Sequence, residues 1–214
     1  MGVSRQQAIE NRQSIIAAAE KLFRERGVDA VGLTELTKAA GFTQGGFYNH
    51  FESKDALVAA VMNKAMEDGT NRLVAAIEQS SAMGVDPIKR QIDLYLSPDH
   101  RSDIDSGCPV STFAGDVRRL SAGARKSYAD GVASNLDCLA DALNGTNKRE
   151  RRRKAISFLS RLVGTLMLSR AVVDADPDLA DEILKDGRRQ LLLDLADQKT
   201  RGRPLPPPIR ANRR

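Results

Sequence analysis

Between residues 13 and 26 the apolar side chains fall at Ile15, Ala19, Leu22 and Phe23, the spacing of one helix face, and Gly27 ends the run. The pattern predicts a first helix over 13–26. Two short helices follow at 33–40 and 44–50, separated by Gly41-Phe42-Thr43. Segments this short are unstable alone and must pack on neighbours, and the glycine supplies the left-handed corner of a helix-turn-helix. Ser53 caps a long helix predicted over 54–80, whose apolar face runs Leu57, Val61, Ala65 with Val58, Met62, Met66 and Leu73 beside it. Beyond the Met83-Gly84 break the pattern predicts helices over 87–96, 110–120, 122–143, 149–173 and 177–196. Pro87 and Pro177 suit first turns, and Asn144-Gly145 is a turn signal. No segment alternates as a strand does. The expected fold is all-α: an N-terminal three-helix unit with a helix-turn-helix at 1–53, a helical bundle at 54–198, and a tail at 199–214. The segment 97–109, rich in Asp, Ser, Pro and Gly, is the one sizeable internal loop expected, and loops of that length often carry function.

The net charge of +5 points to an anionic partner, but its distribution changes the picture. Residues 1–55 hold seven Lys/Arg against seven Asp/Glu, whereas 199–214 hold six and none. Anything that binds nucleic acid in the first segment must do so with placed residues rather than a general basic field. The tail is too rich in Pro and Arg to fold. No apolar run approaches the roughly 20 residues of a membrane span, so no membrane partner is expected. The polar start lacks a secretory signal, which places the chain in the cytoplasm with Cys108 and Cys138 as thiols. There is no Gly-x-Ser-x-Gly, no phosphate-binding glycine loop with Lys and no metal-spaced His cluster. No catalytic residue, metal or cofactor is expected. His50 and His100 are the only histidines, and Cys108 with His100 is the one pair that offers a thiol dyad.

Residues 12–61 carry AAxxLFxxxG at the end of the first helix, the Ala39-Ala40-Gly41 turn, Phe47-Tyr48-Asn49-His50-Phe51 and Ser53-Lys54-Asp55-x-Leu57. This dense, ordered set resembles the DNA-binding domain of the TetR/AcrR family of transcriptional regulators. The major groove admits one α-helix, and residues at its N-terminal end reach base edges. Here those residues are small: Thr43, Gln44, Gly45 and Gly46. Gln44 can bond adenine N6 and N7, and Thr43 can meet a thymine methyl or a phosphate. The resemblance implies that Tyr48 and Lys54 contact phosphates and that Asn49 and His50 face DNA. Phe42, Phe47 and Phe51 pin the helix to its core. Gly32 stands where the family usually caps the second helix with Thr or Ser, and Thr34 falls where an Arg often contacts DNA. Thr37 stands at an Ala-like position, so its hydroxyl needs a backbone partner if buried.

The last two helices carry apolar stripes, Ile156, Leu159, Val163, Leu166 and Leu179, Ile183, Leu191, Leu195, that exceed what one small bundle needs. The resemblance implies a homodimer joined by these helices across a two-fold axis, bound to a palindromic operator DNA as a repressor that a small-molecule effector releases. A sensor cavity belongs among the middle helices, with Met62, Met66, Tyr95, Phe113 and Tyr128 as candidate lining residues, although a Met or an aromatic at helical spacing more often packs as plain core. Cys108, in the Gly107-Cys108-Pro109 corner, is a candidate for the effector path, against the plainer reading of a small residue filling a corner. The run 148–154, KRERRRK, reads as a solvated face. In the tail, Arg201-Gly202-Arg203-Pro204 resembles the core of peptides that lie in the minor groove of A·T-rich DNA.

Overall fold

Each long helix starts at a short polar side chain that accepts an otherwise orphaned amide. Ser4 takes Gln7 N–H, Ser53 takes Ala56, Ser121 takes Ala124, Asn147 takes Glu150 and Asp176 takes Leu179. The computed structural model describes residues 4–201, and no strand occurs among them. Its helices are α1 (Arg5–Arg26), α2 (Leu33–Ala39), α3 (Gln44–Tyr48), α4 (Lys54–Ala82), α5 (Pro87–Tyr95), α6 (Pro98–Ser102), α7 (Pro109–Phe113), α8 (Ala122–Ala142), α9 (Lys148–Val172) and α10 (Pro177–Arg201). The Arg-Gly-Arg-Pro motif passes beyond the described residues after Arg201, as does the remainder of the tail.

Besides α3 ending at Tyr48, short of the expected 50, and α10 running on to Arg201, past the expected 196, the structure departs from the sequence pattern at three places. α1 begins at Arg5 rather than at 13, because Ser4 caps it and its first two turns are mostly polar and exposed, leaving no stripe to read. The expected loop at 97–109 contains one helical turn, α6, capped by Ser97 with Pro98 in its first position. The helix expected over 110–120 is instead α7 and a separate 3-10 turn at Val117–Arg119. Gly115 weakens the helix between them, and the Asp116 side chain accepts the Val28 amide at 3.3 Å.

α4 is the spine. It packs on α1 at one end and along α8 over its length. Gly123 of α8 meets Ala59, Gly131 meets Met66, and Asn135 Nδ2 donates to Thr70 Oγ1 at 2.9 Å, so α8 runs in the same direction as α4. α9 returns toward the N-terminal unit and α10 packs against it. One apolar cluster joins α1–α3, the first half of α4, α7 and the start of α8; a second fills the space between the far half of α4, α5, α8, α9 and α10. By length and composition α9 can cross a membrane, contrary to the sequence expectation that no stretch is apolar enough. It lies in the bundle instead, with Leu159, Leu162 and Leu166 buried. The basic run at its start sits at the far end of the bundle, where Arg152 meets Asp137 and Lys154 meets Glu150.

Candidate functional site

Two sites emerge, one at the N-terminal helices and one in the bundle. In the first, Gly41 has φ +75, the left-handed conformation that the corner between α2 and α3 requires. Thr43 caps α3 by accepting the Gly46 amide at 3.1 Å, so its hydroxyl is engaged. Phe47 is fully buried and stacks on Phe51 at 5.6 Å, Arg12 covers the Phe51 ring at 4.6 Å, and Phe42 packs edge-on against His50. These contacts fix a five-residue helix that could not persist alone. What they leave outward is Thr43, Gln44, Gly45, Asn49 and Tyr48, the last 57% exposed. Gly46 and His50 are half-buried.

Thr34 is exposed on α2, and its hydroxyl accepts from Gln44 Nε2 at 3.2 Å, which ties the first side chain of α3 to the helix beside it. Thr37 is buried and donates to Thr34 O at 3.0 Å, meeting its need for a backbone partner. Gly32 starts α2 without a side-chain cap. Lys54 is half-buried and donates to Val28 O at 3.0 Å, so its ammonium first holds the α1–α2 connection to α4. All nine of these sequence-selected residues thus lie on α2, on or directly beside α3, and at the start of α4.

The second site is an open-sided cavity of about 300 Å³ lined by α4, α5, α8, α9 and the corner at 106–109. Its walls are mostly apolar, with Leu73, Leu94, Leu139, Leu159 and Leu162, and Arg72 and Gln91 also line it; no carboxylate does. Tyr95 and Cys108 both line it. The Tyr95 hydroxyl is buried beside the Cys108 thiol and Ser111 without a well-formed hydrogen bond, and burial, reinforced by that thiol, holds it well above the usual phenol range. Met62, Met66, Phe113 and Tyr128 do not line this cavity. Met62, Met66 and Phe113 are packed in the upper cluster, and Tyr128 donates to Val110 O at 2.8 Å, its own ionisation pushed up to about 12 by burial.

His100 and Cys108 do meet, but not as a dyad. His100 Nδ1 lies 2.8 Å from Tyr95 O and must carry the proton, while Nε2 accepts the backbone amide of Cys108 at 3.2 Å. Both ring nitrogens are therefore occupied by backbone, and burial pushes the imidazole below its usual range. Arg170 of α9 holds the same corner. Its Nη2 donates to His100 O at 2.6 Å and Asp103 O at 3.0 Å, and its Nε to Arg101 O at 3.0 Å. A side chain at Gly107 would collide with Asp103 O, so only glycine fits. Sequence reasoning missed Arg24, Arg170 and Asp116. Arginines capping carbonyls across more than sixty residues leave no local pattern.

Residues 15–61 match the family model described as bacterial regulatory proteins, tetR family. The chain is similar to the HTH-type transcriptional repressor NemR of Escherichia coli (strain K12), 28% identical over 141 residues, which cover 66% of this chain and 70% of that one. It is also similar to the HTH-type transcriptional repressor DhaR of Mycobacterium sp. (strain GP1), 29% identical over 110 residues; the match spans 51% of this chain and only about half, 54%, of DhaR. Among solved structures, reduced E. coli NemR superposes with a TM-score of 0.70 at 21% identity, covering 85% of this chain and 96% of NemR. A TetR regulator from Chloroflexus aurantiacus superposes at 0.71 and 20% identity, covering 89% and 96%. At these identities the superpositions speak to the fold.

Proposed function

Because the chain belongs to the tetR family of DNA-binding transcriptional regulators, we propose that it is a cytoplasmic repressor that grips a palindromic operator as a homodimer and releases it when a small molecule fills the cavity beside Tyr95. The observation that carries the DNA half is the outward N-terminus of α3, where Thr43, Gln44 and Gly45 are exposed while Phe47 and Phe51 anchor the helix from behind. Small residues there let the backbone approach base edges, and Gln44 presents a donor and an acceptor suited to adenine. Tyr48, Asn49 and His50 flank it, and Lys54 and Thr34 approach the phosphates from α4 and α2.

Support for the dimer comes from α9 and α10. Ile156, Leu168, Leu179 and Leu193 are exposed on them, Leu168 at 61%, and a side chain added at Gly164 would meet nothing. An apolar face with room for close helix approach fits a two-fold interface between copies. Support for release comes from the cavity: an apolar volume of about 300 Å³ without a carboxylate suits an uncharged, largely apolar molecule and disfavours a cation. Selection of bound duplexes from a random pool tests the reading. Two half-sites about 34–36 Å apart are expected, and Gln44→Ala should lose about 1–3 kcal/mol of discrimination at one base of each half-site. Recovery of sequences with no symmetry would overturn it.

A further inference from the structure

The corner at 106–109 is one wall of the cavity and is also held from α1 by one side chain. Arg24, in the last turn of α1, is only 5% exposed. Its Nη1 donates to Gly107 O at 3.0 Å, joining positions 83 residues apart. Its Nε and Nη2 lie 2.9 and 2.8 Å from Glu20 Oε1, and its guanidinium sits 5.4 Å from the centre of the Phe113 ring. Gly107 is hemmed in by Asp103 O, the Arg170 guanidinium and the His100 ring. The cavity is the open side of this cage. An occupant that presses on Gly107 and Cys108 therefore moves the carbonyl that Arg24 holds.

A buried guanidinium cannot easily give up an acceptor, because water is not at hand to replace it. Arg24 must follow the carbonyl or lose its place, and α1 ends three residues later at Gly27, next to Val28, whose amide and carbonyl bind Asp116 and Lys54. We propose that Arg24 is the positioning residue that carries the state of the cavity to the DNA-reading helices. This rests on the reading of the cavity as the effector site. It adds to the continuous α4 a direct tether between the pocket wall and α1.

The test uses full-length protein carrying Cys138→Ala, which leaves Cys108 as the chain's one thiol. Methyl, butyl and benzyl methanethiosulfonates serve as probes: the Cys108 thiolate attacks the sulfenyl sulfur, a mixed disulfide forms, methanesulfinate departs, and dithiothreitol reverses the label. Affinity for a duplex selected by the unlabelled protein is measured before and after labelling, alongside each protein's melting midpoint. With Arg24 present, labelling should weaken binding by about 5- to 150-fold, the range of ordinary coupling between sites, and more for the larger groups. In Arg24→Met, affinity should change by less than about threefold on labelling, whatever its starting level. Arg24→Lys keeps the charge beside Glu20 but not the fork, and it provides the same comparison should the methionine variant not fold. Equal losses with and without Arg24 would overturn the tether. No loss even with Arg24 present would overturn the effector-site reading, and the tether would fall with it.

Discussion

Replacing Arg170 with Met should loosen the cavity corner. The guanidinium makes three donations, to His100 O, Arg101 O and Asp103 O, at 2.6 to 3.0 Å. A hydrogen bond from a charged donor contributes about 1.5–3 kcal/mol. The three share one side chain, and the freed carbonyls regain water in part, so their contributions do not add. Burial meanwhile disfavours the charged guanidinium, lowering its ionisation range, which offsets some of the gain. The expected loss is about 3 kcal/mol, or about 6–12 °C in melting midpoint for a chain of this size. Methionine retains the apolar stem, so the change reports the polar contacts. Urea unfolding at one fixed protein concentration measures it, since dimer stability depends on concentration. Trypsin should also cleave faster at Arg101, whose carbonyl is released. A loss under about 1 kcal/mol with unchanged cleavage would show that α6 holds its own shape and that the reasoning is wrong.

His100 gives a pH signature. Its folded-state ionisation lies below the usual value near 6.5, so between the two the unfolded chain binds more protons. Stability is thus complete above about pH 6.5 and falls as pH drops below it; wild type should lose melting temperature between pH 7 and 5 relative to His100→Gln, and parallel profiles would refute this. Leu168→Glu places a charge on the exposed α9 face. Sedimentation should then report a monomer with unchanged helicity, and an undisturbed dimer would remove that face from the interface.

Elements with a one-sided apolar stripe were legible from the residues alone. α4, α8 and α9 begin and end within a few residues of their expected bounds because a capping side chain and a periodic face agree there. The short helix α3 was legible for another reason: Thr43, the glycines and the flanking phenylalanines are dictated by local geometry. The cavity was only half legible. Tyr95 and Cys108 line it, but Met62, Met66, Phe113 and Tyr128 belong to the upper packing. An apolar residue at helical spacing says that it is inside, not which of two neighbouring clusters it joins. The break of 110–120 into two pieces follows from Asp116 reaching Val28, a contact across 88 residues that no window on the chain contains.

The upper apolar cluster does not stop at Ser53. Phe47 and Phe51 share it with Val58, Met62 and Met66 of α4, with Val110 and Phe113 of α7, and with Leu120 and Ala124 beyond. A chimera cut at the end of the helix-turn-helix would therefore graft half of one hydrophobic interior onto half of another, with mismatched shapes along the whole seam. If the proposed function holds, operator preference is not a detachable cartridge. To exchange α1–α3 intact, a designer must carry α4 through Met66 together with α7 and the first turn of α8, and so must import the edge of the cavity, where Pro109 lines it, along with them. Drift in one is then constrained by the packing needs of the other.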